Sequence, residues 1–258
     1  MAPVGRYIVG TSGYSYGDWV GAFYPPGTRR QDMFAEYARH FRAVELNFTY
    51  YRIPSAATLE KLSAASPEGF AFWVKANGKT THEQDRSVAA EFIENLQPMK
   101  DSGKLAGVLM QFPQSFHRTV ANRQYLYEAM DDFLAAAVPV AVEFRHCSWD
   151  VPATAEGLRK QNVTLVIPDA PDLEGLYRPA PTVTSDTGYL RLHSRNADKW
   201  YAGGQRYDYD YGDGELEAIK DQWDSLAEQA GCVFVFFNNC HHGQAAKNAQ
   251  RFTEIVSR

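Results

Sequence analysis

Short apolar runs alternate with stretches of helical spacing along the whole chain. Tyr7 to Ser12 is an apolar run closed by Gly13, and Gln31 to Phe41 then carries Phe34, Tyr37, Ala38 and Phe41 on one helical face. Ala43 to Tyr50 reads as a second strand, with Ser55 as the N-cap of a helix that buries Leu59 and Leu62. Phe70 to Lys75 is the third strand, followed by a helix from Ser87 that buries Val88, Phe92, Leu96 and Met99. Leu105 to Phe112, stopped by Pro113, is the fourth, and the next helix sets Leu126, Met130, Phe133 and Leu134 on one side. The fifth runs from Val138 into Glu143-Phe144-Arg145-His146, and a short helix over Thr154 to Gln161 leads to the sixth, Thr164 to Ile167, closed by Pro168. Pro171, Pro179 and Pro181 then leave little room for a helix before the seventh strand, Gly188 to His193. Glu215 to Ala230 is helical in spacing, Cys232 to Phe237 is an all-apolar eighth strand, and a last helix buries Ala249, Phe252 and Val256.

Strands apolar on both faces and separated by helices imply a parallel sheet covered by helices. Eight such units, the sixth crossover degenerate, predict an α/β chain closed into a (β/α)8 TIM-like barrel. An open doubly wound sheet is the alternative, but Gly10-Thr11-Ser12-Gly13 is not the phosphate-binding GxGxxG that its first turn requires. The 258 residues, 45% of them hydrophobic, fit one domain over 1–258, since barrels of this kind run to about 250 residues.

The polar side chains of the strands gather at one end: Ser12, then Glu45, Asn47 and Thr49, then Lys75 and Asn77, Gln111, Glu143 and Arg145, Asp169, Arg191 and His193, and Asn238 with Asn239. In a parallel barrel these ends share one face, the face on which barrel enzymes keep their active sites. Glu45 and Asn47, Glu143 and Arg145, and Arg191 and His193 are each two apart, so each pair projects to one side of its strand. A neutralising buried network is the plain reading of any one of these residues; for the whole set it weakens, because Val, Ile and Leu fill a barrel at far lower desolvation cost. The loops at that face add aromatics: Tyr14, Tyr16, Trp19, Phe23 and Tyr24 after the first strand, Tyr50 and Tyr51 after the second, Trp149 after the fifth. A long loop after strand 7, Ser194 to Gly212, holds Trp200, Tyr201, Tyr207, Tyr209 and Tyr211 and reads as a lid hinged at Gly203 and Gly204, or else as a packed loop covering the site of the missing sixth helix.

A net charge of −5 gives no basic surface for bulk nucleic-acid binding. Cys147, Cys232 and Cys240 form an odd set without CxxC spacing, as suits a reducing cytosol. Met1 to Tyr7 carries no apolar leader, and no apolar stretch approaches the roughly 20 residues that span a bilayer. The expectation is a cytoplasmic protein without membrane contact.

For chemistry, Glu143 and Glu45 are the acid/base pair, with His193 as a further proton carrier and His82 and His146 as alternates. Arg145, Arg191 and Lys75, with Lys79 and Arg195 nearby, suit a phosphate or carboxylate. Asn47, Gln111, Asn238, Tyr14, Trp200 and Tyr201 complete a substrate-binding set. Glu45, Glu143, Asp169 and His193 are also metal-ligand types, but the surrounding cations oppose a metal, no HxH or HExxH spacing occurs, and Cys240-His241-His242 reads as a loop after a strand. The expectation is an enzyme with no metal or cofactor, using carboxylate acid/base chemistry on a small anionic or sugar-like substrate. The alternatives are a divalent-metal hydrolase, isomerase or nuclease, and a binding module without chemistry.

At these residues the sequence resembles the DUF72 (YecE-like) family. The resemblance rests on Gly10-Thr11-Ser12-Gly13-Tyr14-Ser15-Tyr16 with Phe23-Tyr24-Pro25, Val44-Glu45-Leu46-Asn47-Phe48-Thr49-Tyr50-Tyr51-Arg52, Leu109-Met110-Gln111-Phe112-Pro113, Glu143-Phe144-Arg145-His146, Tyr189-Leu190-Arg191-Leu192-His193 and Phe237-Asn238-Asn239. It implies a TIM barrel of the xylose-isomerase and endonuclease-IV kind, and supplies no reaction. Tyr14 stands where the family often has Trp and Cys147 where it often has Pro, while Asn77-Gly78-Lys79 occupies a segment usually richer in Pro and Arg; all three lie in loops beside the proposed site.

Overall fold

The structure, a computed structural model, describes residues 7–258; the residues before Tyr7, on which the expectation of no leader rests, lie outside it. Eight parallel strands close into a barrel in chain order: β1 Tyr7–Ser12, β2 Ala43–Leu46, β3 Ala71–Lys75, β4 Leu105–Gln111, β5 Val140–Glu143, β6 Thr164–Asp169, β7 Thr187–Leu192 and β8 Cys232–Phe237. Around it lie α1 Met33–His40, α2 Ala56–Ala65, α3 Gly78–His82, α4 Ala89–Asn95, α5 Gln97–Asp101, α6 Val120–Ala135, α7 Pro152–Lys160, α8 Asp213–Ala227 and α9 Gln244–Val256. No helix joins β6 to β7, so the sixth crossover is degenerate as the prolines predict. Among the described residues no helix is long and apolar enough to cross a membrane.

Local chemistry accounts for the element ends. The Ser55 hydroxyl accepts from the Thr58 amide and caps α2, and the buried Tyr37 hydroxyl of α1 takes the Thr11 amide and donates to the Ala43 carbonyl, tying the helix across the β1–β2 seam. The single helix expected from Ser87 is two, α4 and α5, because Pro98 cannot donate to a preceding turn and opens a new helix instead. Val88, Leu134 and Val256 are only half-buried, and Ala89 and Ile255 take core places beside them. Pro168 does not end β6: it pairs with Arg191 of β7, and the strand runs on to Asp169.

Inside the barrel, inward positions change character with height. A packed layer of Ala43, Trp73, Leu109, Ala141, Val166, Tyr189, Phe234 and Phe236 fills the middle. Small residues make room for large ones, as Gly10 does: a Cβ there would stand 2.3 Å from the Ala43 carbonyl oxygen and 3.1 Å from the Phe236 ring. Two residues further along the strands, the inward side chains turn polar.

Candidate active site at the barrel mouth

The last inward positions of the strands carry Ser12, Glu45, Lys75, Gln111, Glu143 and Arg191, with Arg145, His193 and Asn238 just beyond. At their centre Arg191, essentially unexposed, bridges two carboxylates: Nη2 lies 2.7 Å from Glu45 Oε1, and Nη1 donates to Glu143 Oε2. The other Glu45 oxygen accepts from the Tyr189 hydroxyl at 2.6 Å, which joins the aromatic layer to the charged one. The other Glu143 oxygen is 2.7 Å from Arg145 Nε and 3.1 Å from His193 Nε2. His193 Nδ1 is 2.9 Å from the Asn238 side-chain nitrogen, and Arg145 Nη2 is 3.1 Å from His193 Nε2.

The two-residue pairing read from the sequence is therefore physical: Glu143 and Arg145 touch, and Arg191 and His193 converge on the same carboxylate. His146, of the other parity, points elsewhere and stacks on His117 at 3.8 Å. Pairing sets the protonation states. Burial raises the Glu143 carboxyl, but Arg145, Arg191 and His193 together outweigh it and hold the group well below the usual carboxylate range. Burial and then Arg145 push His193 down to about 3 against the pull of Glu143, so the imidazole is neutral. The ring is held from both edges, with the Asn238 side-chain amide at Nδ1 and both Glu143 and Arg145 at Nε2. Burial and then Arg191 lower Lys75 to about 7, with Glu45 and Glu143 opposing.

Lys75 donates to Gln111 Oε1 at 2.9 Å, and its ammonium lies 4.6 Å above the Tyr50 ring. Asn47 is half-buried, and four atoms in and around the barrel interior, Ser12 Oγ, Asn47 Oδ1, Trp73 Nε1 and Arg191 Nε, are buried without a hydrogen-bond partner in the chain. From the loop after β7, Trp200 comes down over the cluster, its ring 5.9 Å from the Arg145 guanidinium and 6.3 Å from His193. Tyr201 beside it is 65% exposed, with its hydroxyl 3.4 Å from the Gln114 amide.

Other residues read from the sequence stand apart. Tyr14 packs on Phe34 and Tyr37 and belongs to the outer core. Trp19 is wholly buried with its indole donating to the Cys240 carbonyl, and Trp149 stacks between Phe116 and Phe144, so these aromatics fasten loops. Asp169 faces Arg195, which grips it through Nε and Nη2, and the Tyr211 hydroxyl. Asn239 turns outward to the Tyr209 carbonyl and Asn248. The presumed hinge lies inside a short turn of 3-10 helix, Gly203–Tyr207, and the loop's second half is bonded to α9, with the Tyr209 and Tyr211 amides donating to the Gln244 and Asn248 side chains. Sequence reading passed over Tyr189, although it is two residues before Arg191 and so shares its parity. Among the described residues no three His, Cys, Asp or Glu side chains are grouped to hold a metal ion.

Comparison with known proteins agrees with this fold. Residues 8–258 match the family described as "Protein of unknown function DUF72". The UPF0759 protein YunF of Bacillus subtilis (strain 168) is 33% identical, over 96% of this chain and 94% of that one. Among solved structures, a DUF72 family protein from Thermotoga maritima MSB8 superposes with a TM-score of 0.90 at 36% identity, covering 98% of this chain and all of the other. One from Enterococcus faecalis V583 gives 0.85 at 27% identity, covering 98% and 96%. The matches thus cover nearly the whole chain, and the chain belongs to the DUF72 family.

Proposed function

We propose that the barrel is an enzyme that binds a small anionic or sugar-like substrate at its C-terminal mouth and works by proton chemistry without a metal held by the chain. The observation that carries this reading is the state of Arg145. Its Nε is pinned by the buried Glu143, while its side chain remains 15% exposed beneath Trp200. A guanidinium pinned at Nε and still partly exposed beside Trp200 presents planar donors to a carboxylate or phosphate. The unpartnered Ser12 Oγ, Asn47 Oδ1 and Arg191 Nε add hydrogen-bonding capacity to the same inward face.

In this reading Glu143, held ionised, orients Arg145 and His193, the neutral imidazole of His193 exchanges protons with the substrate, and Glu45 holds Arg191 in place as its counter-charge. Gln111 and Asn238 supply amides, Lys75 supplies an amine beside Gln111, and Trp200 and Tyr201 form an aromatic wall. The donor set supports the metal-free version, because both buried carboxylates are already engaged by Arg191.

The test is incubation of purified protein with sugar phosphates, sugar acids and hydroxy acids, with products followed by mass spectrometry. Conversion that is lost in His193→Asn supports the reading. Binding with no product after prolonged incubation supports a ligand-binding module instead, and activity only with added divalent metal supports a hydrolase or isomerase of the metal-dependent kind.

A further inference from the structure

Two partly buried lysines differ sharply. Lys104 Nζ donates to three oxygens, the Ser63 and Ser66 carbonyls and the Ser66 hydroxyl, at 2.7 to 2.8 Å, and is a satisfied structural lysine. Lys75 Nζ has one such partner, Gln111 Oε1, whose amide is locked in that orientation because its nitrogen donates to the Phe112 carbonyl. Among the described residues Lys75 forms no ion pair, whereas both arginines of the mouth do.

The groups around it are the Tyr50 ring beneath, with His82 edge-on to that ring at 4.9 Å, the cations Arg191 and Arg145, and the carboxylates Glu45 and Glu143, both already held by guanidinium groups. A buried amine placed among cations and without a carboxylate of its own sheds its proton more easily, against the pull of the Tyr50 ring on the ammonium, and is the arrangement that activates a nucleophilic lysine.

We propose that Lys75 is a nucleophilic amine that captures small anionic aldehydes or ketones at the barrel mouth as an imine, the anion resting on Arg145. This deepens the proposed function and rests on its anion site. The Nζ lone pair adds to the carbonyl carbon and the C=O π pair moves to oxygen, which takes a proton from water. The nitrogen gives up a proton to the hydroxide so formed, the carbinolamine expels its hydroxyl as hydroxide while the nitrogen pair closes the C=N bond, and that hydroxide takes the remaining N–H proton and leaves as water. Overall, amine and carbonyl give imine and one water, with no oxidation or reduction.

Two measurements test it. First, acetylation of the ligand-free protein across pH 6 to 10, read by peptide mass spectrometry, should show Lys75 reacting with a midpoint near 7, apart from surface lysines; a midpoint near the ordinary 10.5 overturns the proposal whatever the substrate. Second, glyoxylate with cyanoborohydride at pH 7 should leave a carboxymethyl group on Lys75 on the order of ten-fold faster than on other lysines, and the fast phase should vanish in Lys75→Arg. Trapping no faster than at surface lysines overturns the imine. Glycolate, which has the same charge but no carbonyl, separates the two levels. If glycolate stabilises the wild type but not Arg145→Met while glyoxylate is not trapped preferentially, the imine fails and the anion site stands; if neither anion depends on Arg145 and Lys75 is still trapped fast, the anion site fails and the amine stands.

Discussion

Arg145 Nε lies 2.7 Å from Oε1 of Glu143, the residue two before it, while Arg191 from β7, two strands along, takes the other oxygen of the same carboxylate. Glu143 is thus the one negative charge that two buried guanidiniums and a neutral imidazole share. Glu143→Gln removes that charge, leaving Arg145 without a carboxylate and Arg191 with Glu45 alone. The fold should lose about 3–5 kcal/mol in urea denaturation, and turnover of any identified substrate should fall on the order of 10²- to 10⁴-fold. A loss under about 1 kcal/mol together with near-normal turnover contradicts the account.

Acid should unfold the protein through the same cluster. The His193 value of about 3 lies below the unfolded 6.5, so its contribution is whole above 6.5 and is lost as pH falls from 6.5 toward 3. Glu143 adds the same sign at lower pH, because its stabilisation is present above the ordinary carboxylate range and is lost as pH falls through its depressed folded value. Urea midpoints should therefore drop between pH 7 and 5, and His193→Asn should flatten that slope. An equal slope in the variant sinks the assignment.

Lys75 carries the opposite kind of term. Its folded value of about 7 against 10.5 unfolded means that burying the charged amine costs stability in full below pH 7, and the cost is relieved as pH rises toward 10.5. Lys75→Met should stabilise the fold at pH 6 by on the order of 1 kcal/mol, after discount for solvent screening, and the gain should shrink toward pH 10. A destabilised variant at pH 6 would mean that the amine has a partner that its geometry does not show.

Gly10 limits the barrel from within. The Cβ of Gly10→Ala would fall 2.3 Å from a backbone oxygen that belongs to the neighbouring strand, so relief requires moving β2, and a loss of about 1–3 kcal/mol is expected. A thermal scan of the variant checks it, and an unchanged midpoint would show that β2 yields freely.

Period-two arithmetic made the strands, the closed barrel and the inward pairs legible, because parity alone puts Glu143 with Arg145 and Arg191 with His193. It could not give partners across the barrel. Arg191 meets Glu45 over 146 positions of chain, a contact fixed by closure and register. Loop aromatics were the least legible: Trp19 and Trp200 look alike in sequence, yet one is sealed against the Cys240 carbonyl and the other overhangs Arg145. The distinction depends on where each loop docks. The choice between a hinged lid and a packed loop was illegible for the same reason, since nothing near Gly203 announces that Asn248 of α9 holds the Tyr211 amide.

The central claim is that the mouth binds a small anion through Arg145. A thermal-shift screen of phosphorylated and carboxylated metabolites against wild type and Arg145→Met tests it most directly, because a specific ligand stabilises by RT ln(1 + [L]/Kd). The account predicts at least one anion that raises the wild-type midpoint with concentration and leaves the variant unmoved. A screen in which the stabilising anions act equally on both proteins, or in which none acts on either, contradicts it.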